Sequence, residues 1–161
     1  MPRESCSLSN QHLTPTMATD VRSAAVVVCE RRGSIAGALR RQLHVHVPLV
    51  ETRTVADCLA ALLSWPASLL VAEAEAGELD RTLRLLTSAA CEFPLARSIV
   101  VADRALERAE AVLREVGAVH VQFGLRGVSE LLRIIHRHAP EFRFPPTLLE
   151  ETCKRLPWGN D

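Results

Sequence analysis

The sequence predicts a three-layer α/β/α sandwich built on a five-stranded parallel sheet. From residue 24 onwards, short apolar runs alternate five times with segments in which apolar residues recur every three or four positions. The first pattern is typical of buried strands, and the second of helices that pack one face on a core. Strands and helices that alternate with short connections form a mostly parallel sheet with helices on both faces.

The five predicted strands are of two kinds, and the difference predicts their order. Continuous apolar runs are expected of central strands buried on both faces, and alternating runs of edge strands that are partly wet. The second strand contains Pro48, and proline cannot donate a ladder hydrogen bond, which favours an edge. Edges at the second and fifth strands predict the order 2-1-3-4-5, that of flavodoxin-like folds. The continuous runs are residues 24–29, 68–72 and 98–102, and the alternating runs are residues 44–51 and 118–123.

Each strand is followed by a helical pattern, and local signals mark several helix ends. Ser34 and Thr54 stand where a side chain can cap the first and second helices. Gly117 lies where a glycine after the fourth helix is favoured. Glu110 and Arg114 are spaced to pair across one turn of that helix. The apolar stripes of the five helices are Ile35, Ala38, Leu39 and Leu43; Val55, Cys58, Leu59, Leu62 and Leu63; Leu79, Leu83, Leu86 and Ala90; Leu106, Ala109, Val112, Leu113 and Val116; and Val128, Leu131, Leu132 and Ile135.

The chain of 161 residues fits one domain, which we expect over residues 23–139. We expect residues 1–22 to form a disordered lead, and they lack the apolar segment that is typical of a secretory signal. Residues 140–161 predict a tail in which residues 148–156 have the pattern of a short amphipathic helix. No segment approaches the roughly 18 apolar residues that span a bilayer. We therefore expect a cytoplasmic protein without a membrane partner.

Charge and cysteine content exclude several classes of protein. The 19 basic residues balance 19 acidic ones, whereas a nucleic-acid binder usually has a basic excess, so we expect no direct contact with nucleic acid. Five widely spaced cysteines without a CxxC pair argue against a disulfide framework or a zinc site. His44 and His46 share a strand face without further ligands, and we expect no metal there. The plain interpretation of Cys29 is a buried structural thiol.

Four residues are predicted to meet at one end of the sheet. In open α/β sheets, ligands bind beyond the carboxyl ends of the strands, where the strand order reverses. Glu30 follows the first strand and Glu73 the third, on either side of that point. Ala102 ends the fourth strand, and Gln122 lies near the end of the fifth. We expect Glu30 and Glu73 to share a cleft.

In element order, helix length and strand character, residues 24–139 resemble the receiver domain of two-component response regulators. That family has an acidic pair after the first strand for Mg²⁺, a phosphorylated aspartate after the third, a serine or threonine after the fourth, and a lysine after the fifth. The resemblance puts Glu30 on one acidic position, beside Cys29, and Glu73, in SLLVAE, on the phosphoacceptor position. Ala102 stands where the hydroxyl is expected, and Lys154 in the tail is the only lysine.

These departures imply a pseudo-receiver, in which the fold is kept and the phosphoryl chemistry is lost. Phosphoryl transfer needs a metal to bridge charged oxygens and cations to stabilise developing charge. Mg²⁺ requires oxygen ligands, and the thiol of Cys29 is a poor substitute. Two interpretations of Glu73 remain open: its fixed charge mimics a permanently phosphorylated state, or it is a solvated carboxylate at a strand end.

The resemblance implies a non-catalytic signalling module that needs no cofactor and acts through a protein partner or a homodimer. In receivers, the surface of the fourth helix, fifth strand and fifth helix commonly carries such contacts. The alternative is a sensor of a nucleotide or another anion at the strand-end cleft, where Arg31 and Arg32 begin the first helix. A hydrolase is disfavoured because no nucleophile, base and acid set is evident. On the implied partner surface lie Arg108, Glu115, His120, Gln122 and Arg133.

Overall fold

The computed structural model describes residues 24–43 and 47–138, and it has the predicted layers and strand order. The sheet runs β2-β1-β3-β4-β5, and all neighbouring strands are parallel. The strands are β1 (Val26–Cys29), β2 (Leu49–Thr52), β3 (Leu69–Ala74), β4 (Arg97–Ala102) and β5 (Ala118–Phe123). The helices are α1 (Ser34–Arg40), α2 (Val55–Ser64), α3 (Leu79–Glu92), α4 (Glu110–Glu115) and α5 (Val128–His138), and 3₁₀ turns cover Ala76–Glu78, Arg104–Ala109 and Leu125–Gly127.

Side chains of the central strands alternate between two apolar layers, because successive residues of a strand point to opposite faces. Val26 and Val28 of β1 pack in a cluster that includes Leu39 of α1 and Ile135 of α5. Residues of the other face pack against α2 and α3, and further along the sheet against α3 and α4. The continuous apolar runs are thus covered on both sides, as predicted for central strands.

The edge strand β2 is shorter than predicted. It begins at Leu49, after Pro48 rather than around it, and the carbonyl oxygen of Pro48 accepts a hydrogen bond of 2.8 Å from the backbone N–H of Val26. Proline therefore contributes its carbonyl to the sheet margin, where its missing N–H costs nothing. The predicted lead of residues 1–22, the tail of residues 140–161, and His44 and His46 lie outside the described residues.

Most predicted helix ends are confirmed, with one exception. The hydroxyl of Thr54 accepts from the backbone N–H of Asp57 at 3.1 Å and caps α2. Gly117 follows α4 with φ of 115°, a conformation that favours glycine. The prediction that Ser34 caps α1 is wrong: the N-cap is Gly33, with φ of 80°, and Ser34 is the first helical residue.

Most residues of the predicted stripes of α3 and α4 pack in one apolar cluster, but Ala90 and Val112 do not. On α3, Ala90 is exposed, and Thr82 and Leu85 are buried instead. The hydroxyl of Thr82 donates to the carbonyl oxygen of Glu73, which satisfies it inside the fold. The fourth helical segment begins as a 3₁₀ helix over Arg104–Ala109. Val112 of α4 is 44% exposed.

None of the helices in residues 24–43 and 47–138 has the length and apolar character to cross a bilayer.

Candidate functional site

The carboxylate of Glu30 is turned under the first turn of α1. Glu30 follows β1 and is 1% exposed. Its two oxygens accept hydrogen bonds from the backbone N–H groups of Ile35 at 2.8 Å and Ala36 at 2.7 Å. The hydroxyl of Ser34 adds a longer bond of 3.3 Å. Glu30 therefore satisfies N–H groups that a helix start leaves without partners, and its charge is stabilised by the positive end of the helix dipole.

Glu73 lies at the same end of the sheet, and the structure brings it to the loop that follows Glu30. One of its carboxylate oxygens accepts a hydrogen bond of 2.8 Å from the backbone N–H of Arg31. Glu30 and Glu73 line one small cavity of about 10 Å³ at the carboxyl ends of β1 and β3. The two carboxylates therefore line the same cavity. Glu30 is held by backbone N–H groups in the first turn of α1, and Glu73 by the backbone N–H of Arg31 in the loop before α1.

Arginine side chains at this end of the sheet form ion pairs with two further glutamates, Glu75 and Glu78. The guanidinium of Arg31 pairs with the carboxylate of Glu78 and lies 4.0 Å from that of Glu75. Arg81 of α3 binds the other oxygen of Glu78 at 3.0 Å. Arg32 approaches Glu75 at 3.8 Å. These ion pairs tie the loop after β1 to the loop after β3, and they place fixed cations beside the acidic residues.

The loop after β2 joins the same network through Arg53. The guanidinium of Arg53 pairs with Glu51 and lies 3.4 Å from the carbonyl oxygen of Glu30. Its own carbonyl oxygen accepts a bond of 2.6 Å from Arg81. Arg53 also covers Gly33, where an added Cβ would lie 3.0 Å from a guanidinium nitrogen. Side chains and carbonyl groups therefore link three loops at the carboxyl end of the sheet.

Ala102 and Gln122 take no part in this network. Ala102 is buried and packs in the apolar cluster with Leu86 and Leu113, on the face covered by α3 and α4. The side-chain amide of Gln122 donates to the carbonyl oxygen of Gly124 at 2.8 Å. It also lies against Gly127, where an added Cβ would be 3.0 Å from it. Neither residue offers a hydroxyl or a cation to the cleft.

A second, wider cleft opens between α1 and the ends of β3 and β4. It has a volume of about 430 Å³, and Arg32, Glu75, Ala102 and Asp103 are among the residues that line it. Asp103 is exposed, and its carboxylate lies 3.4 Å from the backbone nitrogen of Ala76, which donates to it. The lining is therefore polar and carries charges of both signs.

The donor set at the strand ends does not fit Mg²⁺. Mg²⁺ demands oxygen ligands in octahedral geometry. Both oxygens of Glu30 are engaged by backbone N–H groups, and its neighbour Cys29 offers sulfur. Within the described part of the chain, no group of three or more His, Cys, Asp and Glu residues is placed to hold a metal ion. The arginines supply the positive charge at this end of the sheet.

Cys29 faces a second thiol. Cys29 and Cys58 are both buried and pack in one apolar cluster, and the sulfhydryl of Cys29 donates to the carbonyl oxygen of Thr54 at 3.8 Å. The bond from Cys58 lowers the pKa of Cys29 to about 7, against the opposing effect of burial, and Thr52 and Arg81 contribute in the same direction as Cys58. The same contact raises the pKa of Cys58. Cys29 is thus the member of the pair that ionises first.

The predicted partner surface has both charged and apolar members. Arg108 and Glu115 are exposed, and His120 on β5 is half-buried. Arg133 of α5 is exposed and pairs with Glu130 at 2.5 Å, and this contact lowers the pKa of the glutamate. Exposed apolar side chains also stand on α4 and β5, namely Val112 and Val119.

Two features of this site were missed from the sequence. Glu30 was matched to a metal-binding position, and its role as a cap was not predicted, although a carboxylate just ahead of a helix is a recognisable capping signal. The pairing of Arg31 with Glu78 joins residues from different loops, whereas Arg53 and its partner Glu51 lie two positions apart. Only the strand order brings those loops together, so spacing along the chain gives no signal for the first pair.

The described chain has the fold of CheY-like receiver domains, with the flavodoxin-like strand order. The CheY-like protein tadZ from Pseudomonas aeruginosa has a TM-score of 0.60 at 19% identity, over 76% of this chain and 96% of that chain. The response regulator LqsR of Legionella pneumophila has a TM-score of 0.57 at 16% identity, over 74% of this chain and 45% of LqsR. NtrX from Brucella abortus, solved in complex with ADP, has a TM-score of 0.55 at 15% identity, over 83% of this chain and 35% of NtrX.

This chain thus spans nearly all of the tadZ structure but less than half of LqsR and NtrX. No family model matches the sequence, and the search of curated proteins found no match.

Proposed function

We propose that this protein is a non-catalytic signalling module, a pseudo-receiver that is not phosphorylated at the usual site and acts through protein–protein contacts. The receiver-like fold supports a regulatory role. The strand-end cleft supports the loss of phosphoryl chemistry, because its groups are bound to one another rather than held open for a phosphodonor.

The observation that carries the proposal is the capping of α1 by Glu30. A metal ligand must present oxygen lone pairs to the cleft, but both oxygens of Glu30 accept backbone bonds below 3 Å at Ile35 and Ala36. Freeing them for a metal costs α1 its cap, at about 1–3 kcal/mol for each buried N–H left unsatisfied. The fold is therefore stabilised in a form that cannot take up Mg²⁺ in the usual way.

The other parts of a phosphorylation site are also missing. Ala102 has a methyl group where a hydroxyl is expected, and that methyl is buried in an apolar cluster. Among the described residues there is no lysine, and Lys154 lies outside them. Glu73 is already bound by the N–H of Arg31. Under this proposal Glu73 holds the loop after β1 in one conformation, permanently.

The partner surface in this proposal is the outer face of α4, β5 and α5. Val112 and Val119 are 44% and 47% exposed on these elements, which also carry exposed charged residues such as Glu115 and Arg133. Apolar residues within a polar rim are typical of protein interfaces. The partner is a second copy of this chain or another cytoplasmic signalling protein, and nucleic acid and membranes are not contacted.

The proposal is tested with a small phosphodonor. The protein is incubated with acetyl phosphate, with and without Mg²⁺, and its intact mass is measured beside that of a receiver known to accept the phosphoryl group. We expect the control to gain one phosphoryl group and this protein to gain none. A stable Mg²⁺-dependent adduct that disappears in Glu73→Ala contradicts the proposal.

The wider cleft favours a second candidate, a sensor of a small ligand. Its volume of about 430 Å³ is within the range of small-molecule pockets. The cleft is unfavourable for an anionic ligand, because Glu75 and Asp103 line it and the carboxylate of Glu30 already accepts the N–H groups at the N-terminus of α1. Thermal-shift measurements with nucleotides and uncharged metabolites discriminate the two: a saturable rise in melting temperature with one ligand class favours the sensor.

A further inference from the structure

Two buried thiols converge at the carboxyl end of β1. Cys29 is the last residue of β1 and is 4% exposed, and Cys58 on α2 is fully buried. The sulfur of Cys29 lies 3.8 Å from the carbonyl oxygen of Thr54, which also accepts the backbone N–H of Cys58 at 3.1 Å. Both residues belong to one buried apolar cluster, and the thiol of Cys58 lies close enough to Cys29 to lower its pKa. The pair therefore meets from a strand and a helix, on either side of the carbonyl group of Thr54.

Cys29, but not Cys58, borders the strand-end cavity. Cys29 lines the cavity of about 10 Å³ together with Glu73 and Arg81. That volume is close to the minimum that holds one water molecule. Arg81 favours the thiolate of Cys29 by its positive charge, and Cys58 favours it by its hydrogen bond. Thiolates beside cations are the reactive form of cysteine.

We propose that Cys29 and Cys58 form a reversible disulfide when the protein meets a hydroperoxide, which makes the pair an oxidative modification site. The proposal goes beyond the signalling role and stands without it, since it depends only on the placement of the two thiols. In a reducing compartment such a bond is transient, which is the usual behaviour of cytosolic redox sites.

The reaction has two steps. The thiolate of Cys29 attacks one peroxide oxygen, so that a sulfur–oxygen bond forms and the oxygen–oxygen bond breaks. The departing hydroxide takes up the proton that Cys29 released and leaves as water, and Cys29 becomes a sulfenic acid. The sulfur of Cys58 then attacks the sulfur of Cys29, its proton leaves with the hydroxyl group as a second water, and the disulfide forms. Two thiols are oxidised by two electrons, and one hydrogen peroxide is reduced.

The test uses the full chain in a variant whose other cysteines are replaced, Cys6→Ser, Cys91→Ser and Cys153→Ser together. The reduced protein is treated with hydrogen peroxide, free thiols are alkylated after denaturation, and the digest is analysed by mass spectrometry. We expect a linked peptide pair that contains Cys29 and Cys58, a mass lower by two hydrogens, and recovery of both thiols with dithiothreitol. The oxidised form should melt several degrees higher, because the bond restricts the unfolded chain.

Further variants separate this pair from adventitious oxidation. In the otherwise natural chain, Cys91→Ser should leave the disulfide unchanged, since Cys91 is exposed and lies outside the pair. Cys29→Ser and Cys58→Ser should each abolish it while keeping the circular dichroism of the folded protein. Two outcomes overturn the proposal: both thiols remain alkylatable after peroxide treatment of the folded variant, or Cys29 proceeds to sulfinic acid without a linked peptide.

Discussion

One carboxylate oxygen of Glu30 lies 2.7 Å from the backbone nitrogen of Ala36, and its other oxygen lies 2.8 Å from that of the preceding residue, Ile35. A side chain that follows β1 thus fixes where α1 begins. In a receiver that transfers phosphoryl groups, an acidic side chain at this position is expected to serve a metal. Here the carboxylate instead accepts hydrogen bonds from the backbone N–H groups of α1.

Removing the carboxylate of Glu30 should destabilise the fold. In Glu30→Ala, two buried N–H groups lose their acceptor, and we expect the free energy of unfolding to fall by about 1–3 kcal/mol for each of them. Glu30→Gln keeps one acceptor oxygen and should lose less. Urea unfolding followed by circular dichroism measures both. The matched control is Glu107→Ala, an exposed position where the change should stay within about 0.5 kcal/mol. Equal stability of Glu30→Ala and the control contradicts the capping role.

Two glycines at α1 should respond in opposite directions to the same substitution. Gly33 has φ of 80°, and an added Cβ meets the guanidinium of Arg53 at 3.0 Å. Gly33→Ala should therefore cost about 1–2 kcal/mol. Gly37 lies inside α1, where an added Cβ meets nothing closer than 4.0 Å. Gly37→Ala should stabilise the protein by about 0.5–1 kcal/mol, because alanine favours the helix. Thermal unfolding of both variants measures the two effects. If both variants are less stable than the parent, the explanation from glycine conformation is contradicted.

The reactivity of Cys29 should depend on pH near neutrality. Its pKa is lowered to about 7, chiefly by the hydrogen bond from Cys58. Because the thiolate is the reactive form and a lowered pKa shifts its appearance to lower pH, the rate of modification by a small thiol reagent should rise between about pH 6 and 8. In Cys58→Ala the donor to Cys29 is lost, and the midpoint should move upward. The measurement uses the variant without Cys6, Cys91 and Cys153. A midpoint above about 8.5 in that parent variant contradicts the prediction.

Self-association tests the proposed partner surface. If a second copy is the partner, the exposed face of α4, β5 and α5 is the interface, and we expect Val119→Asp to weaken the dimer at least tenfold in sedimentation velocity. Leu63→Asp is the matched control, since Leu63 is 74% exposed but lies on α2. Equal weakening by both variants assigns the effect to general solubility. A monomer at every concentration excludes the second copy and leaves the surface to a different protein.

The strand order was predictable because burial leaves a clear pattern in composition. The runs that became β3 and β4 are continuous and apolar, and both are central, whereas β5 alternates and lies at an edge. The cap of Thr54 was predictable for a similar reason, since it acts within three residues of itself. Local sequence patterns were therefore sufficient to predict most of the fold.

The interior of the cleft was not predictable in the same way. The sequence placed Glu30 and Glu73 at the end of the sheet, and both line one cavity there. It did not say that Glu30 would turn toward the backbone or that Arg81 would reach the loop after β2. Those outcomes depend on rotamers and on contacts between residues that are far apart in sequence. The contact of Cys29 with Cys58 is of the same kind.

The arginine–glutamate network also determines the electrostatic field around the carboxyl ends of the strands. Arg31, Arg32, Arg40, Arg53 and Arg81 pair with three glutamates, Glu51, Glu75 and Glu78, and the carboxylates of Glu30 and Glu73, bound by backbone N–H groups, lie at the same end of the sheet. Opposite charges held this close cancel beyond a Debye length, so this end of the molecule projects little field into solvent. Charged molecules are consequently not steered toward it during diffusion, and its association rates should vary little with ionic strength.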